Sequence, residues 1–308
     1  MQSSSAQRHR VNRVINFARD HIANPLNLDA LADVACLSKF HFARMFQNRI
    51  GKTPLEYVSY LRLESAARTL FYHTEKPITQ IAFDCGFSSS QSFSRAFHRR
   101  FGVSPRDFRG SDFWIRNPLP GTVMPEQVRD RQSLHWAGQF IADPISRARV
   151  RVEERPAYRV AYIRFFGPYF NADGGMTATR RRLIQWARRK GLWHENADMI
   201  GLCPNNPALT PAQHCQYDVC ISVPDHVRED DVVSIQTIPA GTYAVARFDF
   251  LESGLSIYSI WEWLAELWLP ELGAASDLST GYEYYPAENG IPGGLGPRVE
   301  VCLRLAER

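Results

Sequence analysis

The sequence predicts a multi-domain protein, all-α over its N-terminal third and α+β over its C-terminal half. Three observations carry that expectation. Over residues 1–110 apolar side chains recur at helical spacing without strand-like alternation, and from about residue 149 the period changes to alternation. Each region contains an internal repeat of its own. The charge also divides: residues 1–110 hold 16 Lys and Arg against 8 Asp and Glu, a net of +8, while the remainder is net −4. A basic third beside a mildly acidic remainder suggests a polyanion-binding domain joined to a domain with a different task.

The 308 residues suffice for two domains with real cores. With 44% hydrophobic and 22% charged residues, wholesale disorder is excluded. No stretch approaches the ~20 apolar residues of a bilayer span, and the polar start MQSSSAQRHRVNR has no apolar h-region. The expectation is a cytoplasmic protein without membrane association. Cysteines 36, 85, 203, 215, 220 and 302 form no C-x-x-C pair. His214, Cys215, Cys220 and nearby Cys203 fit no zinc spacing, so buried thiols in a reducing compartment are expected and no metal.

In the N-terminal third, Val14, Phe17, Ala18 and Ile22, then Leu28, Leu31, Ala32 and Ala35, mark the first helices. Pro54, Pro77 and Pro105 stand where new helices begin, at the first helical position, which tolerates a missing N–H. The repeat is read directly. Leu31-Ala32-Asp33-Val34-Ala35-Cys36-Leu37-Ser38 matches Ile81-Ala82-Phe83-Asp84-Cys85-Gly86-Phe87-Ser88, and Phe42-Ala43-Arg44-Met45-Phe46 matches Phe93-Ser94-Arg95-Ala96-Phe97. The offset grows from 50 to 51, so the second copy has one extra residue in its serine-rich turn.

Each copy reads as a short helix, a turn and a longer helix, the pattern of a helix-turn-helix. Cys36 and Gly86 fall at the turn, and Ser38 and Ser88 at the expected N-caps. In the first long helix Phe42, Met45 and Phe46 face inward, leaving Phe40, Ala43, Arg44 and Gln47 outside. In the second, Phe93, Ala96 and Phe97 go inward, leaving Gln91, Ser94, Arg95 and His98 outside. Outward Arg and Gln suit guanine and adenine edges in a major groove. A solvated helix face is the bland alternative for either copy alone; two copies in a basic domain favour DNA.

Between the copies, residues 55–70 contain neither Pro nor Gly and predict a long helix. About 18 residues span roughly 27 Å, against ~34 Å for one turn of B-DNA. One chain can therefore place two reading helices in successive major grooves, binding as a monomer.

This portion, residues 8–110, resembles the AraC/XylS family of transcription regulators. The resemblance rests on both copies and on the run from Pro77-Ile78-Thr79-Gln80-Ile81-Ala82 through Phe101-Gly102-Val103-Ser104-Pro105-Arg106-Asp107-Phe108-Arg109. It implies DNA contacts at Phe40 and Arg44 from the first reading helix, and at Ser90, Gln91, Ser92 and Arg95 from the second. Where family members often carry a polar reader this chain has Ala43, which can pack on a thymine methyl but discriminates weakly.

Residues 111–149 read as an ordered linker, broken by Asn117-Pro118-Leu119-Pro120-Gly121 and Asp143-Pro144. From 150 to 308, strands are expected near 150–153, 158–164, 199–203, 217–223, 232–238, 243–248, 281–285 and 298–305. Helices are expected near 175–190, with Arg180–Arg182 outside, and over 256–269. Arg155-Pro156-Ala157-Tyr158 against Ile238-Pro239-Ala240-Gly241 sets a second repeat with an offset near 83. The expected domain is thus duplicated β-α-β-β units side by side in a mixed sheet with two helices on one face.

This half resembles the GyrI-like small-molecule-binding domain, through Ile238-Pro239-Ala240-Gly241-Thr242-Tyr243-Ala244, Trp263-Leu264 with Trp268-Leu269-Pro270, and Tyr282-Glu283-Tyr284-Tyr285-Pro286. Arg247-Phe248-Asp249-Phe250 departs from the family pattern, so one pocket edge differs. The resemblance implies an acidic pocket floor at Glu283, with Tyr285, Tyr258, Trp261 and Trp268 as ligand contacts and Trp263 as further wall. A carboxylate among electron-rich rings suits a lipophilic aromatic cation. On a strand Glu283 shares its face with Tyr285, while Tyr282 and Tyr284 face away. The bland alternative makes the aromatics core and Glu283 an edge-strand surface residue.

Together the resemblances imply a regulator, most often an activator in this family. Its partners would be double-stranded promoter DNA, a small-molecule effector and RNA polymerase, and it would need no cofactor. The alternatives are a hydrolase using Glu283 and a pocket tyrosine, or a protein-binding module. No G-x-S-x-G, phosphate loop or metal set accompanies Glu283.

Overall fold

The computed structural model describes residues 2–109, 150–169, 174–193, 199–207, 209–249, 257–269, 281–286 and 298–305. The expected linker at 111–149 lies outside the described residues. The chain divides into two units, Met1–Leu119 and Pro120–Arg308.

The described part of the first unit is helical: α1 (Gln2–Asp20), α2 (Leu28–Val34), α3 (Lys39–Ile50), α4 (Pro54–Tyr72), α5 (Ile78–Asp84), α6 (Ser90–Phe101) and α7 (Pro105–Phe108). Local signals explain the starts. Asn27 accepts the Ala30 N–H at 2.8 Å, and Thr53 and Glu56 form a reciprocal capping box ahead of Pro54. Pro54 and Pro105 take the first helical position as expected, whereas Pro77 is the N-cap of α5. In the second copy the cap is Ser89 and not Ser88: the extra turn residue moves it by one, and the Ser89 hydroxyl accepts the Ser92 N–H.

Aromatic ladders make the core of each copy. Phe42, Phe46 and Tyr57 meet edge to face, and so do Phe93, Phe97 and Phe108, with Phe101 tilted against the last two. Phe42, Phe46, Phe93, Phe97 and Phe108 are fully buried, each contributing about 1.5–3 kcal/mol. Ala96, expected inside, is half-buried.

The second unit is built on one eight-stranded sheet of β1 (Val150–Arg155), β2 (Tyr158–Phe166), β3 (Met199–Leu202), β4 (Gln216–Ser222), β5 (Ser234–Ile238), β6 (Gly241–Asp249), β7 (Tyr282–Tyr285) and β8 (Arg298–Arg304). The order is β1-β6-β8-β7-β3-β4-β2-β5. Exchanging the repeats (β1 for β5, β2 for β6, β3 for β7, β4 for β8) reads that order backwards, so the duplication is two-fold symmetric about the β7–β3 seam.

Two expectations are corrected. The sheet is not mixed, since every pair is antiparallel. The crossover from β2 to β3 joins parallel strands, but β4 inserts between them, as β8 does between β6 and β7. Nor do the units simply lie side by side: β1 pairs with β6 and β5 with β2, so each repeat lends its first strand to the other. Pro156 and Pro239 stand at the corners where the chain makes this exchange.

Helix α8 (Gly175–Arg189) and helix α9 (Ile257–Trp263), which runs on as a π-helical turn over Leu264–Trp268, cover one face. Their core includes Leu183, Ile184, Ala187, Ile260 and Trp263 against Ala161, Val219, Ala244 and Val301. The opposite face has its own cluster of Val160, Tyr162, Tyr243, Val245 and Tyr282. There the duplication also repeats an ion pair across paired positions of neighbouring strands. Arg164 forks onto Asp218 with both bonds at 2.7 Å, and Arg247 binds Glu300 at 2.6 Å.

Candidate nucleic-acid interface and ligand site

Both turns of the helix-turn-helix pairs use the same device. Leu37 N–H donates to Ala32 and Cys36 N–H to Asp33; Phe87 N–H donates to Ala82 and Gly86 N–H to Phe83. These bonds need a left-handed residue, which is Cys36 at φ 52° in one copy and Gly86 at φ 79° in the other. The second site requires glycine for a further reason: a Cβ there would lie 2.5 Å from the Ile22 carbonyl oxygen and 2.8 Å from Arg62 Nη2.

Arg62 therefore sits at a junction. From α4 its Nε donates to Ile22 O at 3.0 Å and its Nη2 to Asn24 O at 2.7 Å, holding the end of α1 against the turn of the second copy. Arg100 of α6 donates to Tyr60 O at 2.6 Å, its guanidinium 3.7 Å above the Tyr60 ring. The long helix thus ties both copies into one body. Sequence reasoning missed Arg62, because a lone Arg on a helix gives no sign of what lies 40 residues away.

The expected readers are distributed as follows. Phe40 is 79% exposed, and Arg44, Gln91 and Arg95 are exposed. Neither guanidinium is hydrogen-bonded among the described residues. Ala43 and Ser90 are half-buried. Ser92 is drawn into the cap: its hydroxyl donates to Ser89 O at 2.8 Å and accepts the Ser89 hydroxyl at 3.1 Å, leaving one lone pair to offer a ligand. Such a surface can present a ring, two guanidiniums and an amide to a polyanion.

In the second unit Glu283 lies on β7, beside the central seam and not on an edge, and is 3% exposed. Four neutral donors surround it. Tyr217 and Tyr285 donate hydroxyls to Oε2 at 2.6 and 2.9 Å; Trp261 Nε1 and Cys203 Sγ donate to Oε1, each at 3.2 Å. Burial first, and the carboxylate next, push Tyr217, Tyr285 and Cys203 well above their ordinary pKa ranges, so all three stay protonated. Four hydrogen bonds orient the carboxyl group, and none of these partners carries a positive charge.

Glycines make the space. Gly201 pairs with Glu283 across the seam, and a Cβ there would lie 1.8 Å from the Tyr217 hydroxyl. At Gly281 a Cβ would lie 2.5 Å from the Trp261 ring. Tyr285 and Trp261 are thus brought to Glu283 as expected. Trp268 packs partly buried on the helix-side core, and Trp263 is core, edge-on to Phe248. The side chain of Tyr258 lies outside the described residues. Tyr217, Cys203 and Gly201 were missed, since pairing between distant strands decides their position and alternation within each strand is silent about it. The other cysteines do not converge: Cys215 donates to Thr210 O and Cys220 to Asp218 O.

Two family models match this chain. Residues 31–111 match the helix-turn-helix domain, and residues 148–290 match the GyrI-like small molecule binding domain. The chain therefore joins an AraC-type helix-turn-helix domain to a GyrI-like domain.

Among curated relatives, the HTH-type transcriptional activator RhaS of Shigella boydii serotype 18 is 44% identical over 108 residues, 35% of this chain and 38% of the relative. RhaS of Escherichia coli O1:K1 is 43% identical over the same length. The chain spans 38% of the length of these relatives. Among solved structures, the DNA-binding domain of AdpA in complex with a target DNA is 28% identical, with a TM-score of 0.31, over 32% of this chain and 88% of that one. An AraC-type regulator from Chromobacterium violaceum is 30% identical, with a TM-score of 0.31, over 36% of this chain and 95% of that one.

Proposed function

We propose that the chain is a sequence-specific DNA-binding transcription regulator, an activator in the manner of its relatives, acting in the cytoplasm with RNA polymerase as partner. In this reading residues 1–110 bind DNA, 111–149 connect, and 150–308 bind a small-molecule effector. The observation that carries it is the pair of helix-turn-helix copies braced by Arg62 and Arg100 on one long helix, with Arg44 and Arg95 exposed. Two reading helices in one chain support binding as a monomer to successive major grooves. Phe40, Ala43 and Arg44 would read one half-site, and Ser90, Gln91, Ser92 and Arg95 the other.

The test is fluorescence anisotropy of the full chain on an operator selected from random duplexes. Arg95→Ala is expected to cost about 1–3 kcal/mol on the operator and much less on random DNA. Equal losses on both would assign Arg95 to phosphate and remove it from the readers. Affinity is expected to fall steeply with salt as counterions are released.

The effector reading rests on Glu283. A buried carboxylate with neutral donors and a ring beside it favours a small lipophilic cation held by charge and ring faces. Glu283→Gln keeps the shape and is expected to weaken an aromatic cation by about 1–3 kcal/mol. Five of the seven tryptophans lie beyond residue 150 and report the binding. The 2.6 Å Tyr217–Glu283 bond also suits general acid–base work, the hydrolase alternative. Turnover of a reactive electrophile by the wild type, lost in Glu283→Gln with binding retained, would select it over a sensor.

A further inference from the structure

The sequence places Arg180 with Arg181 and Arg182 on the outer side of α8, and the structure corrects this. Arg181 and Arg182 are exposed, but Arg180 is half-buried. At helical spacing, residue 180 falls in the middle of the stripe formed by Met176, Leu183, Ile184 and Ala187, which packs on the sheet. Its Nε is buried and has no hydrogen-bond partner among the described residues. Helix α8 lies over β2 and β4, and β4 carries Tyr217 on the helix side. Burial pulls the guanidinium below its ordinary range, and Tyr217 and Tyr285 are among the polar groups near it. A stripe facing an apolar core is a costly place for arginine unless something polar meets it.

We propose that Arg180 is a second charged determinant of the Glu283 site, so that the preferred effector is a zwitterion or carries an anionic group on the side away from its cation. This rests on the reading of Glu283 as a cation-binding floor. Glu283 with its tyrosines takes the cationic end. Arg180, on the helix that lies over the strand of Tyr217, offers an N–H with no partner among the described residues and a positive charge to a carboxylate or similar acceptor at the other end. A plain cation gains at Glu283 and meets repulsion from Arg180, while a zwitterion gains at both.

The experiment uses the full chain and two probes that differ by one group, benzyltrimethylammonium and its 4-carboxylate, followed by tryptophan fluorescence and calorimetry. The wild type is expected to bind the carboxylate probe about tenfold or more tighter than the plain cation. Arg180→Gln is expected to erase that preference by weakening the carboxylate probe, leaving the plain cation unchanged or tighter. Arg180→Lys keeps the charge and is expected to keep most of the preference. Glu283→Gln is expected to weaken both probes.

No advantage for the carboxylate probe on the wild type overturns the inference without any variant, and so does an advantage that survives Arg180→Gln. In either case a plain cation still weakened by Glu283→Gln leaves the Glu283 reading standing. If neither probe binds at about 10 mM, or Glu283→Gln changes neither affinity, the Glu283 reading falls and this inference with it.

Discussion

The two duplications in this chain are used in opposite ways. In the helical unit each copy keeps the whole device: a short helix, a left-handed turn residue, a capped long helix and an exposed arginine at a matching position, Arg44 or Arg95. In the sheet unit the scaffold is symmetric and the candidate site is not. Glu283 and Tyr285 come from the second repeat, Tyr217 and Cys203 from the first, and the residue paired with Glu283 across the seam is Gly201. Under the proposed function, a repeat that binds a repeating polymer would gain from two equal sites. A repeat that encloses one small molecule would gain from unequal halves, because a second carboxylate at the seam would add like-charge repulsion in a buried place.

The largest expected effect tests the symmetric scaffold under that asymmetric site. Asp218 is 1% exposed and answers Arg164 with both oxygens, whereas its counterpart Glu300 shares Arg247 and Arg155 nearer solvent. Asp218→Ala is expected to cost about 3–5 kcal/mol by leaving a buried guanidinium without its carboxylate. Glu300→Ala is expected to cost clearly less, since Glu153 remains beside both arginines. Chemical denaturation of the two variants reads the difference, and equal losses would show the two ion pairs to be energetic equivalents.

Next come the turns of the helical unit. Gly86→Ala meets both the left-handed penalty and a backbone oxygen 2.5 Å away, while Gly102→Ala at φ 77° meets only the penalty. The expectation is about 1–2 kcal/mol for Gly102→Ala and distinctly more for Gly86→Ala. Because Gly86 sits against Arg62 and the end of α1, its substitution is also expected to weaken a two-groove operator more than a single half-site. Thermal unfolding and anisotropy on both duplexes separate the two effects.

The proposed function also sets the two copies apart as readers. If Ala43 discriminates weakly, a saturation scan of the operator should place more information under the second copy, at about 1–3 kcal/mol for its most sensitive base. Equal or greater information under the first copy would make the two readers alike. The smallest expected effect is at Cys36, held at φ 52° where the other copy has glycine. Cys36→Gly relieves the strain and loosens the unfolded chain, for a net gain of about 0.5 kcal/mol in a melting measurement.

What was legible in the sequence follows from range. Helix limits, caps and the two faces of α3 and α6 come from contacts within four residues, so the spacing of Phe42, Phe46, Phe93 and Phe97 reveals them. Even there one inserted serine moved the cap from Ser88 to Ser89. The strands of the second unit and their 83-residue repeat were readable for the same reason. Their order was not, because β1 and β5 find partners in the opposite repeat, and pairing over that distance leaves no local trace.

The candidate site divides the same way. That Glu283 and Tyr285 share a strand face is a matter of pleat, so the sequence alone determines it. That Tyr217, Cys203 and Trp261 converge on the same carboxylate was decided only when the strands paired across the seam and α9 packed on the sheet. Those distances are set by packing between segments up to 80 residues apart, and no period in the chain records them.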